Sequence, residues 1–230
     1  MGVSIDGNLL GPPITLHDSA SWQSYRYASV AIDLFLTPGT HVLRLSQISN
    51  GSYGYVANFD YLEFQRYRDP FQHSTFAPGE TLQAEDFDIG GEGLTYHDLD
   101  AANLGTATYR LGEGVDIEPT GDSGGGYNVG FARAGEWMEY AIGATADDAL
   151  FGIDVRLASL RAGGKLHFEL NGKTVASFTV PATPSWQTYT TLSSAQNIHI
   201  GGGGGILRLV MDQNNSTGYV ANFNWMRVNP

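Results

Sequence analysis

Leu150-Phe151-Gly152-Ile153-Asp154-Val155-Arg156-Leu157 is the stretch that decides the fold. Phe151, Ile153, Val155 and Leu157 fall on one face at period two, with Gly152, Asp154 and Arg156 on the other, as in a half-buried strand. Leu166, Phe168 and Leu170 alternate with His167 and Glu169 in the same way. Turn signals follow closely on one another: Pro38-Gly39, Asn50-Gly51, Pro78-Gly79, Asn171-Gly172 and the glycine run 201–205, the last read as a hairpin turn. No segment sustains a 3.6-residue apolar period long enough for a helix. The expected class is all-β, a sandwich or jelly roll.

Composition narrows the function. The 230 residues include 30 glycines and 12% aromatics, a mixture suited to short strands and tight turns. With no cysteine, disulfides, thiolate nucleophiles and zinc–thiolate sites are excluded. A net charge of −12 repels phosphate backbones and anionic lipid, so neither nucleic acid nor a membrane is an expected partner. No apolar run approaches the ~20 residues of a membrane span. Met1 to Gly7 has neither the basic start nor the apolar centre of an export signal, which would have to be encoded elsewhere.

The chain repeats itself. Leu43–Phe64 aligns without gaps on Leu207–Val228 at an offset of 164, with 11 of 22 positions identical, including Gly-Tyr-Val-Ala-Asn-Phe at 54–59 and 218–223. Upstream, Trp22-Gln23-Ser24-Tyr25 matches Trp186-Gln187-Thr188-Tyr189, and Asp6-Gly7 matches Asn171-Gly172 after a one-residue gap. Nothing before residue 3 corresponds to 80–167. The expected organisation is therefore a partial sandwich module at 1–66 (the back half only), a linker at 67–79 containing Pro70, Pro78 and Gly79, and a complete module at 80–230. A half module exposes strand edges, so it is expected either to be cut from a longer one or to be completed by the second module or another chain.

Three segments imitate catalytic motifs. Gly121-Asp122-Ser123-Gly124-Gly125 matches a nucleophile elbow and a serine-protease signature, but no histidine has the context of a base, and the glycines run on through Gly126 as in a turn. In Glu113-Gly114-Val115-Asp116-Ile117-Glu118 the acids do not share one strand face, as paired glycosidase carboxylates would, because Glu113 and Asp116 are three apart. The run 201–205 lacks the Lys-Ser/Thr of a phosphate loop. A hydrolase using Ser123 or the Asp116/Glu118 pair is the rival reading, and a structural adhesion repeat is a third. The six histidines, at 17, 41, 73, 97, 167 and 199, show no metal-ligand spacing.

Nine segments in order carry a resemblance: Leu82-Gln83-Ala84-Glu85-Asp86-Phe87, Tyr96-His97-Asp98, Tyr109-Arg110, Val115-Asp116-Ile117-Glu118, the glycine-rich 124–131 ending in Phe131, Ala134-Gly135-Glu136-Trp137-Met138-Glu139-Tyr140, Val155-Arg156-Leu157-Ala158-Ser159, Ser185-Trp186-Gln187-Thr188-Tyr189 and Asn222-Phe223-Asn224-Trp225. Over 80–228 the chain resembles the family 6 carbohydrate-binding modules, non-catalytic domains appended to secreted glycoside hydrolases acting on β-glucan, xylan, agarose and related polysaccharides. The resemblance implies a secreted protein that anchors a hydrolase to polysaccharide or oligosaccharide through a cleft in the loops at one end of a sandwich. By position in the motifs, Phe131 and Trp186 are the cleft walls, Asn222 the polar anchor and Glu118 an acceptor of sugar hydroxyls. Phe131 replaces the family's usual Tyr or Trp. On residue type alone both rings read as core aromatics, the commoner fate of such residues, and Asn222 could be a turn residue.

Sugar chemistry suits such a set. A pyranose offers a C–H face to an aromatic plane and a rim of hydroxyls that must regain hydrogen bonds. Two rings and a few hydrogen bonds sum to ~6 kcal/mol before losses, a dissociation constant of roughly 0.1 mM at best. The resemblance further implies a structural calcium ion held by Gln83, Glu85 and Asn224, where Asn224 stands in place of the commoner Asp and Asp60 is its counterpart in the first repeat. A second ion near Asp98 and Asp116 is a further reading. The first repeat keeps Trp22, Asn58 and Asp60 but has no counterpart of Phe131, Glu118 or Glu85. One ring and one amide give only ~3 kcal/mol, so no independent sugar binding is expected there.

Overall fold

The computed structural model describes residues 1–28, 36, 39–64, 67–100, 102–146 and 149–229, which leaves the turn signal at Pro38 outside. The chain forms two compact units, Met1–Gln65 and Arg66–Pro230. Apart from a 3-10 turn at Phe71–His73, regular structure among the described residues is all β.

In the first unit, β1 (Gly2–Ile5) lies between β2 (Asn8–Leu9) and β3 (Leu43–Ser46), both antiparallel to it. The second unit contains β4 (Thr81–Gln83), β5 (Tyr96–His97), β6 (Ile117–Pro119), β7 (Tyr127–Val129), β8 (Trp137–Ile142), β9 (Gly152–Ala158), β10 (Lys165–Leu170), β11 (Lys173–Thr179), β12 (Thr190–Ser193), β13 (Gly205–Gln213) and β14 (Asn222–Asn229). They build two antiparallel sheets, ordered β11-β10-β13-β8-β5 and β12-β9-β14-β7-β6, with β4 also pairing β14.

Period two sets the layers. Leu166, Phe168 and Leu170 point inward from β10, and Ile153, Val155 and Leu157 from β9. They join Tyr140, Leu209, Phe223 and Met226 in one buried cluster between the sheets, making a β-sandwich. Phe168 and Leu157 are fully buried, so truncating either to Ala would cost about 2–5 kcal/mol.

Residues 67–79 are hydrogen-bonded into the second unit. Asp69 and Ile89 exchange backbone bonds of 2.9 and 2.8 Å, and Phe76 bonds Ala141 and Gly143 at 2.9 and 2.8 Å. Proline and glycine there report turns, and turns are compatible with a paired sheet edge. Gly201–Gly204 connects β12 to β13, which belong to different sheets, so the glycine run is a crossover and not the expected hairpin turn. Hairpins lie instead at Asn171-Gly172, between β10 and β11, and at 120–126, where β6 turns into β7 through Gly124, Gly125 and Gly126, at φ of 105°, 70° and 91°.

The first unit repeats the β11-β10-β13 ladder residue for residue. Val3 faces Leu45 as Phe168 faces Leu209, and Ser4 faces Leu9 as Glu169 faces Thr174. Asp6 and Asn171 sit at φ of 50° and 52° in the same turn, and their Oδ1 atoms accept the equivalent amides of Val42 and Ile206. The likeness stops at residues 58–64, which form no strand although their counterparts make β14. β14 draws its partners β4, β7 and β9 from the front half of the second unit, and the first unit repeats only the back half. Phe59 is consequently 48% exposed, against 0% for Phe223.

Candidate functional site

Three adjacent strands place one polar cluster. β6 pairs β7 with Glu118 opposite Asn128, and β7 pairs β14 with Val129 opposite Phe223, which brings Asn222 at the start of β14 beside them. Oε1 of Glu118 accepts Nδ2 of Asn222 at 2.7 Å, Nε2 of Gln187 at 2.8 Å and Nδ2 of Asn128 at 3.1 Å. Three donors on one oxygen hold the carboxylate in a single orientation. Gly130 makes room for it, since a Cβ there would lie 3.0 Å from Oε1. Gln187 is fixed in turn, its Oε1 accepting the Gly121 amide at 2.6 Å and the Tyr189 hydroxyl at 3.2 Å. Burial pushes the Tyr189 phenol up to about 12, so it remains a donor.

The rings meet this cluster through the backbone. Nδ2 of Asn222, itself buried, also donates to the carbonyl of Trp186 at 3.0 Å. The Trp186 ring stands edge-on to Tyr219, with centroids 6.1 Å apart at 88°, and Phe131 meets the same tyrosine at 5.9 Å and 81°. All three rings are half-buried. Phe131 is held at φ 51°, a left-handed backbone that costs a non-glycine residue about 1–2 kcal/mol.

Glu118, Trp186 and Asn222 thus form one bonded group, joined to Phe131 through Tyr219. Tyr219, Gln187 and Asn128 were not singled out in the sequence. Tyr219 was visible only as an identity within the repeated Gly-Tyr-Val-Ala-Asn-Phe. Gln187 and Asn128 belong to segments 59 residues apart, which no local pattern links.

The catalytic look-alikes do not assemble. Asp122 is bound to Arg156 by bonds of 2.7 Å and to Nδ2 of Asn224 at 2.8 Å, and the arginine bonding holds its carboxyl down at about 2. His41, His73, His97 and His167 pair with carboxylates in other places. Asp116 and Glu118 sit in different clusters: Asp116 takes the Leu104 amide, and its ligand oxygens lie within 4.8 Å of those of Asp98 and Asp100. Burial pushes Asp98 and Asp116 up to about 6, and Arg133 pairs with Asp100, so this acidic group already has a cation of its own.

The expected calcium residues lie on neighbouring segments. Gln83 pairs Trp225 across β4 and β14, and the Ala84 amide bonds the Asn224 carbonyl at 2.9 Å. Glu85 is 4% exposed, and its buried Oε2 has no hydrogen-bond partner. Burial pushes this carboxyl up to about 8. A buried carboxylate oxygen without a hydrogen-bond partner is the kind of group a hard cation could satisfy, while the Asn224 side chain is engaged by Asp122 through its Nδ2.

Fold and site together define a β-sandwich in which the rings of Phe131, Trp186 and Tyr219 gather beside the Asn222–Glu118 polar cluster. Residues 106–230 match the model of the carbohydrate binding module (family 6), and the chain belongs to that family, whose members bind carbohydrate and are not catalysts. A β-1,3-glucan binding family 6 module from Bacillus halodurans is 25% identical with a TM-score of 0.51, covering 68% of this chain and 100% of its own. The C-terminal family 6 module of LamC, a marine laminarinase from Zobellia galactanivorans, is 26% identical with a TM-score of 0.48 over 66% and 98%. In sequence, 89 residues are 39% identical to the clotting factor G alpha subunit of Tachypleus tridentatus, covering 38% of this chain and 13% of that protein's length.

Proposed function

We propose that the second unit binds a β-glucan, with β-1,3-glucan favoured over xylan and agarose, in the slot formed by Phe131, Trp186, Tyr219, Asn222 and Glu118. The observation that carries this reading is the Asn222 amide, which ties the acceptor Glu118 to the Trp186 wall. A pyranose face packs on the rings, while Oε2 of Glu118 and Oδ1 of Asn222 accept its hydroxyls, since Oε1 of Glu118 is already saturated. The similar module from Bacillus halodurans binds β-1,3-glucan, which supports the choice of sugar. On this reading the chain is a secreted anchor that holds a glycoside hydrolase on its polysaccharide. Calcium, held by Glu85, Asn224 and Gln83, pins β4 to β14 and supplies charge to the buried carboxylate.

Affinity electrophoresis in laminarin, xylan and agarose, with wild type and Trp186→Ala, tests the reading. Retardation in laminarin that Trp186→Ala removes is the expected result. Equal mobility in all three gels would overturn it and favour an adhesion repeat.

A further inference from the structure

The first unit contains a second constellation of the same kind. Trp22 stands edge-on to Tyr55 with centroids 6.0 Å apart at 87°, and Nδ2 of Asn58 donates to the Trp22 carbonyl at 2.9 Å. At the shared offset of 164 these are the counterparts of Trp186, Tyr219 and Asn222, and distance, angle and hydrogen bond all recur. They line a cavity of about 660 Å³ together with Gln47, Asn50 and Tyr53. That volume is within the range of small-molecule sites.

We infer that the first unit is a second saccharide-binding platform, weaker than the slot of the second unit and serving the same polysaccharide. The inference rests on the reading of the second unit for the class of sugar, but its evidence is separate. The lining holds aromatic rings and carboxamides and no charged side chain, which selects a neutral polyhydroxyl ligand over an ionic one. The rings are open to it: Trp22 is 50% exposed, and Tyr53 and Tyr55 are more so. One ring and one amide were expected from the sequence. The structure adds Tyr53 and Tyr55 as ring surface and Gln47 and Asn50 as hydrogen-bonding groups.

Without counterparts of Phe131 and Glu118 this platform is one-walled, so a short oligosaccharide held by the second unit gains nothing from it. A long polysaccharide differs, because once one unit is bound the other engages the same chain at high effective concentration, and affinity rises without any new contact.

The test uses the full chain with Trp22→Ala, Trp186→Ala, the double variant and Tyr53→Ala. Tyr53 is largely solvent-exposed, so its truncation leaves the fold intact. Binding is measured to laminarihexaose by titration and to immobilised laminarin by retention. Trp22→Ala is expected to leave hexaose affinity within about twofold, to weaken retention on laminarin about tenfold, and to abolish the residual retention of Trp186→Ala. Tyr53→Ala is expected to weaken retention about threefold. Wild-type retention by both Trp22→Ala and Tyr53→Ala, with the double variant matching Trp186→Ala, would overturn the inference and leave the second unit's role standing. Unchanged hexaose binding by Trp186→Ala would instead overturn the reading of the second unit. Loss of retention through Trp22 alone would still support the first.

Discussion

The side-chain amide of Asn222 holds the backbone carbonyl of Trp186 at 3.0 Å, across 36 residues of sequence. The ring is thereby positioned from its own peptide, and the same amide reaches Glu118 at 2.7 Å. Asn222→Ala leaves the part-buried Trp186 carbonyl without this donor and removes one donor from the carboxylate, a loss of about 1–2 kcal/mol in stability. Urea unfolding should show that loss, and laminarin affinity should fall at least about tenfold. Unchanged retardation would place the anchor elsewhere.

Tyr219 meets both Trp186 and Phe131 edge-on, so on the proposed reading its ring should matter and its hydroxyl should not. Each edge-on pair contributes about 0.5–1.5 kcal/mol. Tyr219→Ala is expected to weaken binding tenfold or more while Tyr219→Phe stays within about twofold, as measured by titration. Equal losses in the two would assign the effect to the hydroxyl.

Asp88 is wholly buried, with Oδ1 accepting the Ala141 amide and Oδ2 unpartnered, and burial pushes its carboxyl up to about 6. A carboxyl raised above its unfolded value holds its proton longer in the folded state, so stability falls as pH rises from about 4 through about 6. Asp98 and Asp116 move in the same direction. Melting temperature in chelator should therefore be higher at pH 5 than at pH 7.5. Asp88→Asn keeps the acceptor for Ala141 and removes the buried charge, and should stabilise the fold at pH 7.5 by about 1–2 kcal/mol. A melting temperature that rises between pH 5 and 7.5 would contradict this.

Calcium should raise the melting temperature of wild type by about 5 °C over the chelated protein, and should do nothing for Glu85→Gln. The wild-type response should grow toward pH 8, because calcium must displace the proton that burial retains on Glu85. Differential scanning calorimetry at pH 6 and 8 measures both. An equal response in Glu85→Gln would move the ion to other ligands.

Period-two alternation made β9 and β10 legible because fully buried positions alternate with less buried ones over 153–157 and 165–170, and the inward residues 153, 155 and 157 follow from it directly. The repeat was legible as identity, and its ladder recurs in matching register. That 58–64 forms no strand was not legible, because strand formation there depends on β4, β7 and β9 and not on the segment's own residues. At the site, Trp186, Asn222, Glu118 and Phe131 were named by motif. The Gln187–Glu118–Asn128 bonding was hidden because its members meet only after β6, β7 and β14 align.

On the proposed reading, Phe131 in its left-handed backbone and a Glu118 carboxylate held by three donors would give a slot already ordered when sugar arrives. Little ordering remains to slow capture, and weak affinity then appears almost entirely as rapid release. With association at roughly 10⁵–10⁷ M⁻¹s⁻¹ and a dissociation constant of about 0.1 mM at best, each engagement would last at most about a millisecond to a tenth of a second. A catalytic domain carried on such an anchor would stay near the polysaccharide surface while renewing its foothold many times a second.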